Sequence, residues 1–299
     1  MSAIDLVIEA RRRDLGGFEV GRVLPWTKRR MVGPFIFFDH IGPAVFQPAL
    51  PQRTDVRPHP HIGLSTITYL FAGEIVHRDS VGCYQVIRPG EVNWMTAGRG
   101  ISHSERFETM REHGGDIHGI QAWVALPEQH EETEPAFIHF EAAALPELQF
   151  SGATIKLIAG RAFGKESPVQ THSPLFYAHA QLAGDATIEI AADYSERAVF
   201  VASGRAVIES ATLDQDQMAV LIPGVVARIR AIGDTTLMLL GGEPIGPRHI
   251  YWNFVSSRQE RIEQAKADWR AKRIPLPIDD DREFIPLPDD PPPPPEPMS

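Results

Sequence analysis

The sequence predicts an all-β protein of two barrel or sandwich domains, with one short helix near the C-terminus and an extended tail. Three observations carry this: short runs of alternating polarity, turn residues between them, and a strand–turn–strand unit that occurs twice. In Val225–Ala231, Val225, Ala227, Ile229 and Ala231 share one face, with Arg228 and Arg230 on the other. Ile155, Leu157 and Ala159 alternate with Thr154, Lys156 and Ile158, and Thr187–Ile190 has the same period. Gly184-Asp185, Ser203-Gly204, Pro223-Gly224, Gly233-Asp234 and Gly241-Gly242 separate such runs. Many short strands with few helical patterns between them favour a sandwich or barrel over a parallel α/β sheet.

The repeated unit joins the two halves. Tyr69-Leu-Phe-Ala-Gly73 followed by Ile75-Val76 is similar to Val199-Phe-Val-Ala-Ser-Gly204 followed by Ala206-Val207, and Met95-Thr-Ala-Gly98 takes the place of Leu221-Ile-Pro-Gly224. The strand pattern lapses in Glu141–Leu148, which divides the chain into residues 1–140 and 141–274, the second part including the helix. That helix begins at Ser257-Arg-Gln-Glu260, which has the capping-box form, and Ile262, Ala265 and Trp269 give it an apolar stripe to pack on a barrel. From Pro275 to Ser299 the chain is Pro-rich and acidic, and is expected to be an extended or disordered, solvated tail.

Charge and composition exclude several classes. The 299 residues are 43% apolar and carry a net charge of −10, and seven acidic residues against one Arg put −6 of it in the last 25 residues. The remainder has no basic field to meet nucleic-acid phosphates, and Arg11–Arg13 is too short to supply one. The single cysteine, Cys83, rules out an internal disulfide framework and reads as a small buried or half-buried side chain. Residues 1–15 lack a secretory signal pattern, and the longest apolar runs, Ala219–Ile222 and Leu237–Leu240, cannot span a bilayer. These features lead to the expectation of a soluble, cytoplasmic protein.

Nine of the twelve histidines fall in the first 140 residues. His59-Pro-His61 has an i, i+2 spacing that puts both imidazoles on one face of a strand, and His103-Ser-Glu105 repeats the geometry with a carboxylate. Three neutral nitrogens and one anionic oxygen suit a divalent first-row metal: iron, nickel, manganese, copper or zinc. Glycines at Gly73, Gly90, Gly98 and Gly100 mark the turns that would bring the pairs onto neighbouring strands. Counted from Gly73 and Gly204, the positions of His59 and His61 correspond to Ile190 and Ala192; counted from Gly98 and Gly224, His103 and Glu105 correspond to Ile229 and Ala231. One barrel is therefore expected to be polar and metal-filled, and the other dry. Around these pairs, His77-Arg-Asp79 fits a role in orienting ligands about as well as a surface turn. Asp39-His40 lines a pocket or forms a satisfied pair at a strand end, His113 and His118 read as solvated loop residues, and Trp94 and Trp123 as core.

Several of these segments also carry a family resemblance. Gly33-Pro-Phe-Ile-Phe-Phe-Asp-His40, His59-Pro-His-Ile-Gly63, Gly73-Glu-Ile-Val-His-Arg-Asp-Ser80, Val86 through Glu105, Gln121-Ala-Trp-Val-Ala-Leu-Pro127 and Phe284-Ile-Pro-Leu-Pro288 resemble the pirin family of the cupin superfamily over residues 12–288. The resemblance implies a bicupin, two jelly-roll β-barrels, with one metal ion, usually iron, held in the first by His59, His61, His103 and Glu105. The Glu of the general cupin motif is missing near Thr66, so the carboxylate comes from the second motif. The implied activity is cleavage of a flavonol by dioxygen in the manner of a quercetin 2,3-dioxygenase, with Glu105 as candidate catalytic base. The rival reading, from animal pirins, is a non-catalytic, redox-sensitive iron protein acting as a transcription coregulator through an unknown protein partner. A third reading is an enzyme acting on another substrate, since the cupin site hosts many reactions on one scaffold; a deep pocket at the metal favours either enzyme, and a sealed site favours the sensor.

Overall fold

In the computed structural model, which describes residues 3–14 and 18–289, the strands pair into two large and two four-stranded antiparallel sheets, together with a two-stranded sheet of His249–Tyr251 and Phe254–Ser256. The first half has a large sheet in the order Ala136–Phe140, Val92–Thr96, Leu64–Ala72, Gly115–Ala125, Phe35–Phe46, Glu19–Leu24, Arg11–Asp14, and a small sheet in the order Val56–His61, Ile101–Arg106, Ile75–Asp79, Tyr84–Ile87. The second half repeats both. Its large sheet runs Ile4–Glu9, Gln217–Leu221, Glu196–Ser203, Thr235–Gly242, Leu175–Leu182, Ala153–Ala162, Glu147–Phe150, and its small sheet Thr187–Ile190, Ala227–Ala231, Arg205–Ile208, Ala211–Asp214. The duplication read from the Gly73 and Gly204 units is thus a duplication of topology. One edge crosses over: Ile4–Glu9, which a division at residue 140 assigns to the first half, pairs with Gln217–Leu221 of the second, Val7 opposite Ala219.

Each large sheet has two buried faces. One lines its own barrel and the other meets the opposite barrel, where Phe38, Tyr69 and Ile120 pack with Phe200, Tyr177 and Met238. The Phe38 and Phe200 rings meet edge to face, centroids 5.0 Å apart. Each such side chain contributes on the order of 1.5–3 kcal/mol by burial. Inside the second barrel one continuous apolar cluster includes Ile155, Leu157, Val199, Val201 and Ile229. Inside the first, the apolar residues divide into two clusters, one around Phe18, Ile75 and Phe107 and one around Phe37, Met95 and Trp123. The polar site lies between them.

The C-terminal segment departs from expectation in two ways. The helix spans Gln259–Arg270, its N-cap is Arg258, and no side chain caps it. The capping box does not form because the Ser257 N–H and hydroxyl both donate to the buried Glu131. The stripe of Ile262, Ala265 and Trp269 does pack on a barrel, against Ile62 and Phe254 beside His61. Beyond the helix, residues 275–289 have no regular structure, yet they dock on the first barrel and are not a solvated tail. Asp280 and Glu283 bind Arg106, the Ile285 N–H donates to the Pro58 carbonyl at 2.8 Å, and Leu287 is buried. The proline run Pro291–Pro295 and the acidic tip lie outside the described residues. Among the described residues no helix is long and apolar enough to cross a membrane.

Candidate metal centre

Two neighbouring strands of the small sheet build the site. Val56–His61 and Ile101–Arg106 run antiparallel with His59 opposite His103, so the period-2 spacing sends His59, His61 and His103 into the barrel together. Between His103 and Glu105 the register slips: Glu105 faces Val56, and the extra residue on the Arg57-Pro58 side makes a bulge next to the site. A ligand atom of each of the three histidines lies within 4.8 Å of the other two, and all three side chains are buried. Glu105 does not join that compact group. Its carboxylate points toward Thr68, 3.3 Å from the hydroxyl. That hydroxyl is 2.8 Å from Gln121 Oε1 and has one proton to give, so Gln121 is its nearer acceptor.

Burial keeps all three imidazoles neutral. Loss of water pushes His59 down to about 4 and holds His61 and His103 well below the ordinary histidine range. Their lone pairs are therefore free near neutral pH. The Nδ1–H of His59 donates to the Arg57 carbonyl at 2.8 Å, which leaves Nε2 as its lone-pair atom. Nε2 of His61 and Nε2 of His103 face each other at 3.1 Å, while His61 Nδ1 approaches the Asn253 backbone without reaching hydrogen-bond geometry. Two nitrogens each about 2.1 Å from a shared ion stand about 3.0–3.4 Å apart, so the His61–His103 pair already has the spacing of two ligands of one divalent cation, with His59 close by. Burial also pushes the Glu105 carboxyl up to about 7, with the Thr68 hydroxyl working weakly against it. A cation held by the histidines would lower it again.

A cavity of about 360 Å³ opens from the cluster, lined by His59, His61 and Glu105 and by residues from distant segments. That volume is within the range of small-molecule sites, about 300–1,000 Å³. Phe37 and Trp123, both lining the cavity, stack on each other at 4.0 Å with ring planes 14° apart. Arg22 lies over Phe37 and holds Asp39 through two bonds of 2.9 and 2.8 Å. Trp252, Asn253 and Ile285 add a wall from the C-terminal segment. Nothing local marks these last three, or Phe37 and Arg22, as site residues; they arrive by tertiary contact, and only the Phe35–Phe46 alternation points Phe37 and Asp39 to one side.

The second barrel tests the one-polar, one-dry expectation. Its small sheet pairs Ile188 with Ile229 and Ile190 with Ala227, where the first pairs His59 with His103 and His61 with Ile101. The counterparts of His59 and His61 are therefore Ile188 and Ile190, two residues earlier than Ile190 and Ala192, because the connection to Gly204 is longer than that to Gly73. Ile229 and Ala231 stand as expected. All four counterparts are apolar and buried in one cluster, so the second barrel is dry.

Other candidates separate by face. Asp39 enters the cavity while His40, its neighbour on the strand, points toward the second barrel and bonds Asp216 at 2.6 Å and His118 at 2.8 Å. His118 is therefore not a solvated loop residue; His113 is exposed. Trp94 and Trp123 are both core, and Trp123 also lines the cavity. Cys83 is half-buried and unpaired with another sulfur. His77 and Asp79 are buried, which excludes the surface-turn reading.

Two tandem antiparallel barrels with a histidine cluster in one define a bicupin protein. The pirin family model matches residues 17–124, and the model of the pirin C-terminal cupin domain matches residues 177–275. A pirin-like protein of Caulobacter vibrioides is 60% identical over 287 residues, covering 96% of this chain and 100% of its own. The crystal structure of a quercetin 2,3-dioxygenase from Acinetobacter baumannii superposes with a TM-score of 0.88 at 32% identity, covering 96% of this chain and 95% of that one. A nickel(II)-bound bacterial pirin of Escherichia coli, at 17% identity and a TM-score of 0.63 over 80% of this chain and 99% of its own, shares the fold. The chain belongs to the pirin family.

Proposed function

We propose that the chain is a metal-dependent dioxygenase of the quercetin 2,3-dioxygenase type, acting on a flavonol-like substrate with dioxygen. The observation that carries the reading is the joining of a buried three-histidine cluster and an isolated carboxyl to an aromatic-walled cavity. His59, His61 and His103 would hold the ion, iron by the family resemblance, with Glu105 as fourth ligand when it swings inward. Bound there, the ion supplies Lewis acidity toward the substrate's 3-hydroxyl and access to dioxygen chemistry.

The chain's own residues do the rest. Phe37, Trp123 and Trp252 give the cavity an aromatic lining suited to a planar polyphenol, with Ile285 on the C-terminal side helping to shield it from water. Glu105, a buried carboxyl lining the cavity and held only weakly by Thr68, would be ionised once a cation sits on the histidines and so suited to take the 3-hydroxyl proton. Loss of that proton makes the central ring electron-rich, and its opening by dioxygen releases carbon monoxide. A cavity reaching the cluster supports an enzyme over a non-catalytic iron protein.

The test is oxygen uptake by anaerobically iron(II)-loaded protein on adding quercetin, with His59→Ala as blank. Uptake by the wild type alone is expected, and no uptake by iron-replete protein would refute the reading. Glu105→Gln should keep metal and lose most turnover; equal turnover would remove Glu105 as the base.

A further inference from the structure

Beside the cluster lies a pair of buried polar residues that the proposed chemistry does not use. On the strand Ile75–Asp79, Asp79 stands directly opposite His103 and His77 opposite Glu105. His77 Nδ1 is 3.3 Å from His103 Nδ1, and His77 Nε2 is 3.0 Å from Asp79 Oδ2. The other Asp79 oxygen accepts the N–H groups of Val81 and Cys83, each at 3.0 Å, which locks the carboxylate. Phe137 stacks on the His77 ring at 4.4 Å and 26°, which fixes its plane.

Asp79 accepts, so a neutral His77 carries its proton on Nε2 and presents a bare Nδ1 to His103. His103 must then be protonated on Nδ1, which leaves Nε2, the atom facing His61, as its lone-pair donor. The second barrel again supplies a control. Its register pairs Ile229 with Ile208 and places Ala231 opposite Ala206, so Ile208 and Ala206 are the counterparts of Asp79 and His77. Both belong to the dry cluster. The relay is present in the barrel that has the histidine cluster and absent from the one that lacks it.

We propose that Asp79 and His77 are positioning residues that fix the tautomer and raise the donor strength of His103. The inference rests on the metal-site reading above. It grades the three imidazoles: His103 is backed by a carboxylate through His77, His59 by a neutral carbonyl, and His61 by no hydrogen bond. Outer partners of this kind change metal affinity about 10–100-fold when removed.

The experiment titrates the full chain with cobalt(II) alone, against a competing chelator, and records the ligand-field bands. His77→Phe keeps the stack on Phe137 but removes both hydrogen bonds. His77→Gln restores an acceptor toward His103 and a donor toward Asp79. Asp79→Asn keeps the oxygen for Val81 and Cys83 but turns a donor toward His77. Affinity is expected to fall about 10–100-fold in His77→Phe and Asp79→Asn, with shifted bands, and less in His77→Gln. A packing role predicts the reverse order for Phe and Gln, and wild-type affinity in His77→Phe overturns the inference. If these variants do not fold, ¹⁵N shifts of the zinc-loaded wild type decide: Nδ1–H on His103 and Nε2–H on His77 support the relay, and the opposite tautomers overturn it. His103→Ala separates the two readings. Undiminished cobalt binding there refutes the metal site itself, and with it the relay; lost binding there beside wild-type binding in His77→Phe refutes the relay alone.

Discussion

The docking of residues 275–289 on the first barrel can be tested at a single carboxylate. Asp280 takes two bonds from Arg106, at 2.8 and 2.6 Å, and one from the Ser104 hydroxyl at 2.5 Å. The Arg106 and Asp280 side chains are only 10% and 14% exposed. Removing one partner of a buried pair costs about 3–5 kcal/mol. In Asp280→Asn the amide oxygen keeps one bond and Arg106 retains Glu283 at 3.1 Å and Asp55 at 3.5 Å, so the loss should be nearer 2 kcal/mol. The pH dependence follows from the charge. Burial works to raise the Asp280 pKa, but the bonds from Arg106 and Ser104 and the Arg106 charge outweigh it and hold the carboxyl below its usual value. A depressed folded pKa gives stability that is fully present above the unfolded value, about 3.9, and lost as pH falls through the folded one. Urea unfolding should therefore separate wild type from Asp280→Asn at pH 7 and bring them together as pH falls below about 4. Equal midpoints at pH 7, or a gap unchanged at pH 3, would refute the assignment of Asp280 as the electrostatic anchor.

Three further predictions follow from the packing. Gly63→Ala should destabilise by about 3 kcal/mol or more, read as a lower Tm, because at φ +67° its Cβ would lie 2.0 Å from the Val255 carbonyl oxygen. Glu131→Ala should cost about 3 kcal/mol in chemical denaturation, since it leaves buried Arg248 without its carboxylate and the hydroxyls of Ser256 and Ser257 without an acceptor. Phe200→Ala, in the second barrel, should cost about 3–5 kcal/mol and also weaken cobalt(II) binding in the first; unchanged binding would mean that the barrels do not share a mechanical frame.

What was legible in the sequence were the features that depend on local periodicity. His59, His61 and His103 share a face because strands alternate, and that holds whatever lies around them. The dry second barrel was visible because apolar residues recur at matched positions, although an offset counted through a connection of unequal length misplaced the first pair by two. The Ser257 cap failed for a different reason. Capping competes with any buried acceptor within reach, and Glu131, 126 residues away, takes the same donors. Trp123 is core as its sequence context suggests but is also cavity wall, and His118 is at the interface and not in solvent, because an aromatic or imidazole ring has the same local signature in each setting. The docking of residues 275–289 was hidden by composition: few apolar residues suffice when Arg106, Ser104 and the Pro58 carbonyl are already in place.

The large sheet of the first barrel gives each strand two tasks, and this explains why a polar cavity can persist in a folded barrel. On Phe35–Phe46, Phe37 and Asp39 face the cavity while Phe38 and His40 face the second barrel. On Gly115–Ala125, Gln121 and Trp123 face inward and Ile120 and Ala122 face across. A barrel whose interior is interrupted by three imidazoles and a carboxyl gives up part of its own core, as the separation of its apolar residues into two clusters shows. The opposite faces of the same strands recover that burial against the other barrel, whose interior is apolar throughout. Alternation couples the two faces rigidly, since a strand cannot shift register at the interface without turning its cavity residues over. The dry barrel therefore supports the cavity wall, and changes at Phe38 act on that wall through the strand that also carries Phe37 and Asp39, while the histidines stand on Val56–His61 and Ile101–Arg106 of the small sheet.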